Sequence, residues 1–148
     1  MALADLITPD VVKVDLSSRS KPDVIRELLQ VLEDAGKVGN ADLAYDAVME
    51  REGKGSTGLE NGIAVPHAKT DVVDSLTLAL GTAPAGIDFE SFDGKPARIF
   101  FLMLAPPDQP GPHVAALAET ARLTSSPAFV NALVSAANAD DVVRLFAE

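Results

Sequence analysis

Cysteine is absent from the chain, which removes a disulfide framework, a cysteine-ligated zinc site and thiol chemistry together. Basic residues are few: twelve Lys and Arg stand against twenty-two Asp and Glu, for a formal net charge of −10. Nucleic-acid binding needs clustered cations to neutralise phosphates, and the cations here are scattered, so no nucleic-acid partner is expected. An acidic surface keeps a protein in solution and can also steer a basic protein partner. Long apolar runs are missing as well. The longest, I-F-F-L-M-L-A at residues 99–105, falls far short of the ~20 residues needed to cross a bilayer. No basic leader followed by a hydrophobic stretch opens the chain, so the expected compartment is the cytosol, without membrane insertion. No low-complexity tract argues for disorder.

The 148 residues, 47% of them apolar, suit one buried core and are too short for two ordinary domains, so residues 1–148 are read as a single domain. A short strand is expected near Val12, Val14 and Leu16. Ser20 then opens S-K-P-D, an N-cap with proline in the first turn. Val24, Ile25, Leu28, Leu29 and Leu32 follow at helical spacing, and Gly36 stands where a helix stop belongs. A second helix is expected from Asn40 to about Glu52, followed by a loop at G-K-G-S-T-G. Residues 62–69 read as a buried strand with Pro66 near its end. Leu76, Leu78 and Leu80 alternate with small residues, and Ile87, Phe89 and Asp93-Gly94 predict an arm and a tight turn. The run at 99–105 is apolar on both faces, as a strand covered from both sides must be.

The segment P-P-D-Q-P-G-P, residues 106–112, predicts a rigid loop. His113 is then expected to open a helix with an apolar stripe at Val114, Leu117, Ala118 and Ala121. Ser126-Pro127 begins another, with Val130, Leu133 and Val134 inward, and Asp140 is the expected cap of a last one. This order predicts an α/β domain with helices on both faces of the sheet.

The chain has two histidines. His67 ends G-I-A-V-P-H at a strand end, the rim where sites of open α/β sheets lie. Neutral imidazole offers a nucleophilic nitrogen near pH 7, and the phosphoramidate it forms passes its phosphoryl group on. A half-buried histidine bonded to backbone would show the same local pattern. His113 stands at a helix start, where N–H groups and the dipole favour an anion; a surface histidine there is the plainer alternative. Arg51 either complements a helix C-terminus or orients a phosphate through its planar fork. A phosphate-binding G-x-x-x-x-G-K-[ST] loop fails at this site, because Val48 occupies its first glycine position. No H-x-x-x-H or H-E-x-x-H spacing occurs, so neither a metal nor another cofactor is expected.

The stretch S-T-G-L-E-N-G-I-A-V-P-H-A-K, residues 56–69, resembles the active-site signature of the fructose, mannitol and nitrogen-regulatory class of enzyme IIA of the bacterial sugar phosphotransferase system. H-V-A-A-L-A from His113 is similar to that family's second histidine with its helix start, and Arg51 in M-E-R-E matches its active-site arginine. Thr57 aligns with a small polar loop residue. The likeness runs over roughly residues 3–147, and I-D-F-E-S-F-D-G-K-P-A-R-I-F-F-L-M-L-A-P looks like the arm and central strand of fructose-type members. Glu60 departs from it, standing where Gly or Ala is usual.

The resemblance implies a mixed sheet of about five strands between helices. It also implies a phosphotransferase component in which His67 accepts a phosphoryl group from phospho-HPr and hands it to a cysteine of an enzyme IIB. His113 would donate to the phosphoryl oxygens and Arg51 would supply charge and orientation. Fructose-type transport is the favoured branch. A nitrogen-type regulator controlled by its phosphorylation state is the alternative, and a binding module that keeps only the fold is a third.

Overall fold

The computed structural model describes residues 3–147. They form one α/β domain around a five-stranded mixed sheet. A short helix α1 (Leu3–Leu6) and a 3-10 turn (Pro9–Val11) lead into β1 (Val12–Lys13). Helices α2 (Lys21–Asp34) and α3 (Ala41–Glu52) follow, then β2 (Ile63–Ala64), β3 (His67–Lys69), β4 (Thr77–Ile87) and β5 (Ala97–Ala105). The chain closes with α4 (Pro110–Thr124), α5 (Pro127–Ser135) and α6 (Ala139–Ala147). No helix among the described residues is long and apolar enough to cross a membrane.

The sheet is organised by β5. It pairs antiparallel with β4 on one side and parallel with both β2 and β3 on the other, while β1 pairs parallel with β4. Phe100, Leu102 and Leu104 of β5 enter the apolar layer under α2 and α3. Ile99, Phe101, Met103 and Ala105 enter the opposite layer, which receives α1, α4, α5 and α6. All seven are at most 1% exposed. This is the doubly covered strand that the apolar run predicts.

Local signals explain most elements. Ser20 caps α2 by accepting from the Asp23 N–H, and Val24, Ile25, Leu28, Leu29 and Leu32 are its buried face. Gly36, at φ +74°, ends the helix, with the Lys37 N–H reaching back to the Leu32 carbonyl. Asn40 and Ser126 cap α3 and α5 in the same way.

Five expectations are corrected. The first strand is only two residues long, because Asp15 turns to φ +59° and its N–H bonds the Thr82 hydroxyl instead of continuing the ladder. Residues 62–69 form two strands rather than one. Pro66 has no N–H for the ladder, so it sits in the break, and the register on β5 is kept across it from Ala64–Phe100 to His67–Met103. His67 therefore begins β3 rather than ending a strand. The proline-rich segment is not all loop, since Pro110 and Pro112 lie in the first turn of α4, where N–H groups have no intrahelical partner. His113 is accordingly the fourth residue of that helix.

The remaining two corrections concern helix faces and caps. The buried face of α4 is His113, Ala116, Thr120 and Thr124, not the stripe through Val114, which is 64% exposed. The two threonines enter the core because their hydroxyls bond the carbonyls four residues back, at 2.9 and 2.7 Å. The cap of α6 is Asn138, which accepts from the Asp141 N–H, and Asp140 lies inside the helix.

Glu27 of α2 ties down the turn before that helix. Its carboxylate, 9% exposed, pairs with Lys13 at 2.6 Å and accepts from Ser17 and Ser18. Burial alone would raise its pKa, but the bonds to Lys13, Ser18 and the two backbone amides outweigh burial and lower it from 4.5 to about 2. A depressed folded pKa gives stabilisation that is present above the unfolded value and lost as pH falls through the folded one. The wild type should therefore lose up to about 3 kcal/mol between pH 5 and pH 2 that a Glu27→Gln variant does not lose. Urea unfolding of both proteins across that range checks this.

Candidate functional site

The carboxyl end of β5 sets the place of the site. Its residues Met103–Ala105 pair with His67–Lys69 of β3, and α4 starts a few residues beyond Ala105. The last turn of α3 brings Arg51 to the same rim. A cleft of about 520 Å³ opens between these elements, lined by Arg51, Lys54, His67, Lys69 and His113, with Ala47, Val114 and Leu117 among its apolar walls. The three residues singled out in the sequence thus meet in one cavity.

His67 is half-buried, and its Nδ1 lies 2.7 Å from the Val65 carbonyl oxygen. A carbonyl can only accept, so Nδ1 carries the proton and Nε2 holds the free lone pair. The backbone bond and a free Nε2 lone pair therefore occur in one and the same arrangement. The His113 ring meets it edge to face, with centroids 5.3 Å apart. His113 is 4% exposed, and its buried Nε2 has no hydrogen-bond partner in the described structure. A buried polar nitrogen left unpaired is costly unless something else fills the role, and an anion entering the cleft would do so.

The charge of the cleft runs against that of the chain. Arg51, Lys54 and Lys69 line it, with Glu50 as the one acidic lining residue, in a protein of formal net charge −10. The Arg51 guanidinium spends one donor on the Gly55 carbonyl at 3.0 Å, which anchors the fork to the loop at 53–58. Its remaining donors are available to a planar oxyanion. Burial of the His113 ring lowers its pKa below the ordinary 6.5, and the neighbouring His67 and Lys69 add positive charge that lowers it further. Neutral imidazole is the state this surrounding favours at His113.

Sequence reasoning did not find Lys54 and Lys69 as parts of the cleft, nor the buried carboxylate of Glu52 beside it. The lysines carried no pattern of their own, although both flank motifs that were singled out. Glu60, the departure from the expected wording, is exposed on the turn before β2 and is not among the cleft-lining residues. It lines a separate groove with Leu59 and Phe92.

The family described as phosphoenolpyruvate-dependent sugar phosphotransferase system, EIIA 2, matches residues 5–148. A PTS system fructose-specific EIIABC component of Bacillus subtilis is 34% identical over 145 residues, 98% of this chain, but the match spans only 23% of that longer protein. A fructose-specific EIIA component of Haloferax volcanii is 43% identical over 68% of this chain and 66% of its own length. A nitrogen regulatory protein of Bradyrhizobium diazoefficiens is 33% identical over 83% of this chain and 80% of its own. Among solved structures, the nitrogen regulatory protein IIA-Ntr of Neisseria meningitidis superposes with a TM-score of 0.89 at 25% identity, covering 97% of this chain and 98% of that one. Enzyme IIA of the Escherichia coli mannitol system, solved in complex with phosphorylated enzyme IIB, shares the fold at a TM-score of 0.81 and 20% identity, over 95% and 96% of the two chains.

The ring pair generates a pH prediction. Followed by imidazole NMR, His113 should titrate below the ordinary 6.5, and His67→Ala should move its midpoint upwards by removing one of the charges that oppose protonation. A midpoint indifferent to His67→Ala would assign the depression to burial and Lys69 alone.

Proposed function

Because the chain belongs to the EIIA 2 family of the phosphoenolpyruvate-dependent sugar phosphotransferase system, we propose that it carries a phosphoryl group on Nε2 of His67. The observation that supports this most is the 2.7 Å bond from His67 Nδ1–H to the Val65 carbonyl, which leaves Nε2 unprotonated in a cationic cleft. Phospho-HPr is the donor in this reading. The Nε2 lone pair forms a new N–P bond in line with the bond that breaks, and the donor imidazole nitrogen takes back its electron pair. The phosphoryl group then moves to the cysteine sulfur of an enzyme IIB, the kind of partner seen with the mannitol-system neighbour.

Such transfer depends on position and charge more than on covalent help. Arg51 supplies a fixed planar cation, Lys54 and Lys69 supply field, and the unpaired Nε2 of His113 is a ready donor once it carries the proton. The acidic remainder of the surface suits a basic donor protein, and the working compartment is the cytosol.

The favoured branch is fructose-type sugar uptake, supported by the 43% identity to the Haloferax component. The second reading, a regulator whose phosphorylation state controls a target protein, is supported by the nitrogen regulatory relative matched over 80% of its length. Active-site chemistry is common to both, so the partner decides.

Incubation with enzyme I, HPr and radiolabelled phosphoenolpyruvate should give one acid-labile, alkali-stable label, and His67→Ala should abolish it. Persistent labelling of that variant would remove His67 from the role. His113→Ala should still be labelled, more slowly by roughly 10²–10³, the usual worth of one oriented donor. Arg51→Lys should be impaired as well, because an ammonium lacks the planar fork. Rapid discharge to a fructose-type enzyme IIB supports transport. Failure to discharge to any enzyme IIB, with phosphorylation-dependent binding of another protein, supports regulation.

A further inference from the structure

Next to Arg51 in the chain stands a buried carboxylate with no role in the transfer so far described. The Glu52 side chain is 2% exposed, yet it accepts from Lys21 Nζ at 3.1 Å, from the Thr57 N–H at 2.7 Å and from the Thr57 hydroxyl at 2.6 Å. Lys21, on α2, also pairs with Glu90 at 3.1 Å and lies 4.7 Å from the centre of the Phe89 ring. Burying an ion pair rarely raises stability over an apolar pair of equal size, so its presence asks for another explanation.

Two branches lead from Glu52 into the cleft. Along the first, the Thr57 carbonyl accepts from the Val65 N–H at 3.0 Å, and the Val65 carbonyl accepts from Nδ1–H of His67 at 2.7 Å. Along the second, residues 53–56 are closed into a loop between Glu52 and Thr57, and the Gly55 carbonyl of that loop holds the Arg51 guanidinium. One carboxylate thus stands behind both the nucleophile and the cation.

We propose that Glu52, acting through Thr57, is a positioning residue for phosphoryl transfer: it holds His67 in the Nδ1–H form with Nε2 free, and it aims Arg51. The proposal deepens the reading of His67 as phosphoryl acceptor and rests on it. As Nε2 forms its bond to phosphorus, the ring gains positive charge and Nδ1–H becomes a stronger donor. The Val65 carbonyl, held in place by the bond from the Val65 N–H to Thr57 and by the grip of Glu52 on Thr57, meets that charge without rearranging.

The test uses the full chain and phosphoramidate, a small phosphoryl donor that needs no protein docking. In this reaction the Nε2–P bond forms as the donor's P–N bond breaks, and the leaving nitrogen takes the electron pair and a proton from water. Nitrogen-15 imidazole NMR reads the His67 tautomer without any transfer. Glu52→Gln should raise the share of Nε2–H tautomer at His67 and slow saturated labelling by up to about 10²-fold, the scale of a misplaced reacting group, with KM for phosphoramidate unchanged. Thr57→Val, which keeps the N–H bond and the Lys21 pair, should shift both readouts the same way by less, and it carries the test if Glu52→Gln does not fold. Thr57→Ser should restore both.

A folded Glu52→Gln or Thr57→Val with the wild-type tautomer ratio and labelling rate would overturn the proposal and leave the network a purely structural clasp. If the wild-type chain takes no label on His67, the phosphocarrier reading falls instead. The tautomer measurement still judges whether Glu52 sets the ring.

Discussion

A strand covered by helices on both faces can emerge from the core only at its ends, and β5 is that strand. Its residues from Ile99 to Ala105 are buried, divided between two apolar layers. Every polar function of the sheet is therefore displaced to a rim. Parallel pairing with Met103–Ala105 carries His67–Lys69 to the carboxyl end of β5, and the short connection to α4 returns His113 to the same rim. The site follows from this constraint rather than from any local preference of the histidines. It is also the general position of ligand sites in open α/β sheets.

The second organising effect is electrostatic contrast. A chain of net charge −10 gathers Arg51, Lys54 and Lys69 about one cleft. Cations clustered in a confined, partly apolar cavity act at a lower effective dielectric than the acids on the open surface. The dianionic phosphoryl group of the proposed reaction would be drawn to this spot although the protein as a whole would repel it. Burial of the His113 ring, with His67 and Lys69 adding positive charge beside it, lowers its pKa and favours the neutral ring, which can take up a proton or give one. Family membership and local field thus point to the same group.

Much of this was legible in the sequence, and the reasons differ from residue to residue. Ser20, Asn40, Gly36 and Ser126 act on their immediate neighbours, so their positions in the chain revealed α2, α3 and α5. Arg51, His67 and His113 were found because their wording resembles a known family, and the cleft brings all three together. What stayed hidden depends on partners far away in sequence. The α4 face was misread because Thr120 and Thr124 bury their methyl groups only after their hydroxyls bond the helix itself. The Glu52 network joins α2 to the loop after α3, a separation of 31 residues between Lys21 and Glu52 that no periodicity encodes. Pro110 and Pro112 read as loop because a helix interior rejects proline, whereas its first turn does not.

Those two prolines bear on how quickly the proposed relay would run. Proline has little backbone freedom to lose, so much of the cost of ordering the first turn of α4 is already absent from the unfolded chain. His113 then rides on a segment that is stiff before any partner arrives. Docking of the proposed donor and then of the proposed acceptor would not have to freeze that ring twice, and the entropy cost of each encounter would be smaller by that amount. In the carrier role proposed, changing partners at every cycle, such stiffness would be gained in turnover rather than in affinity.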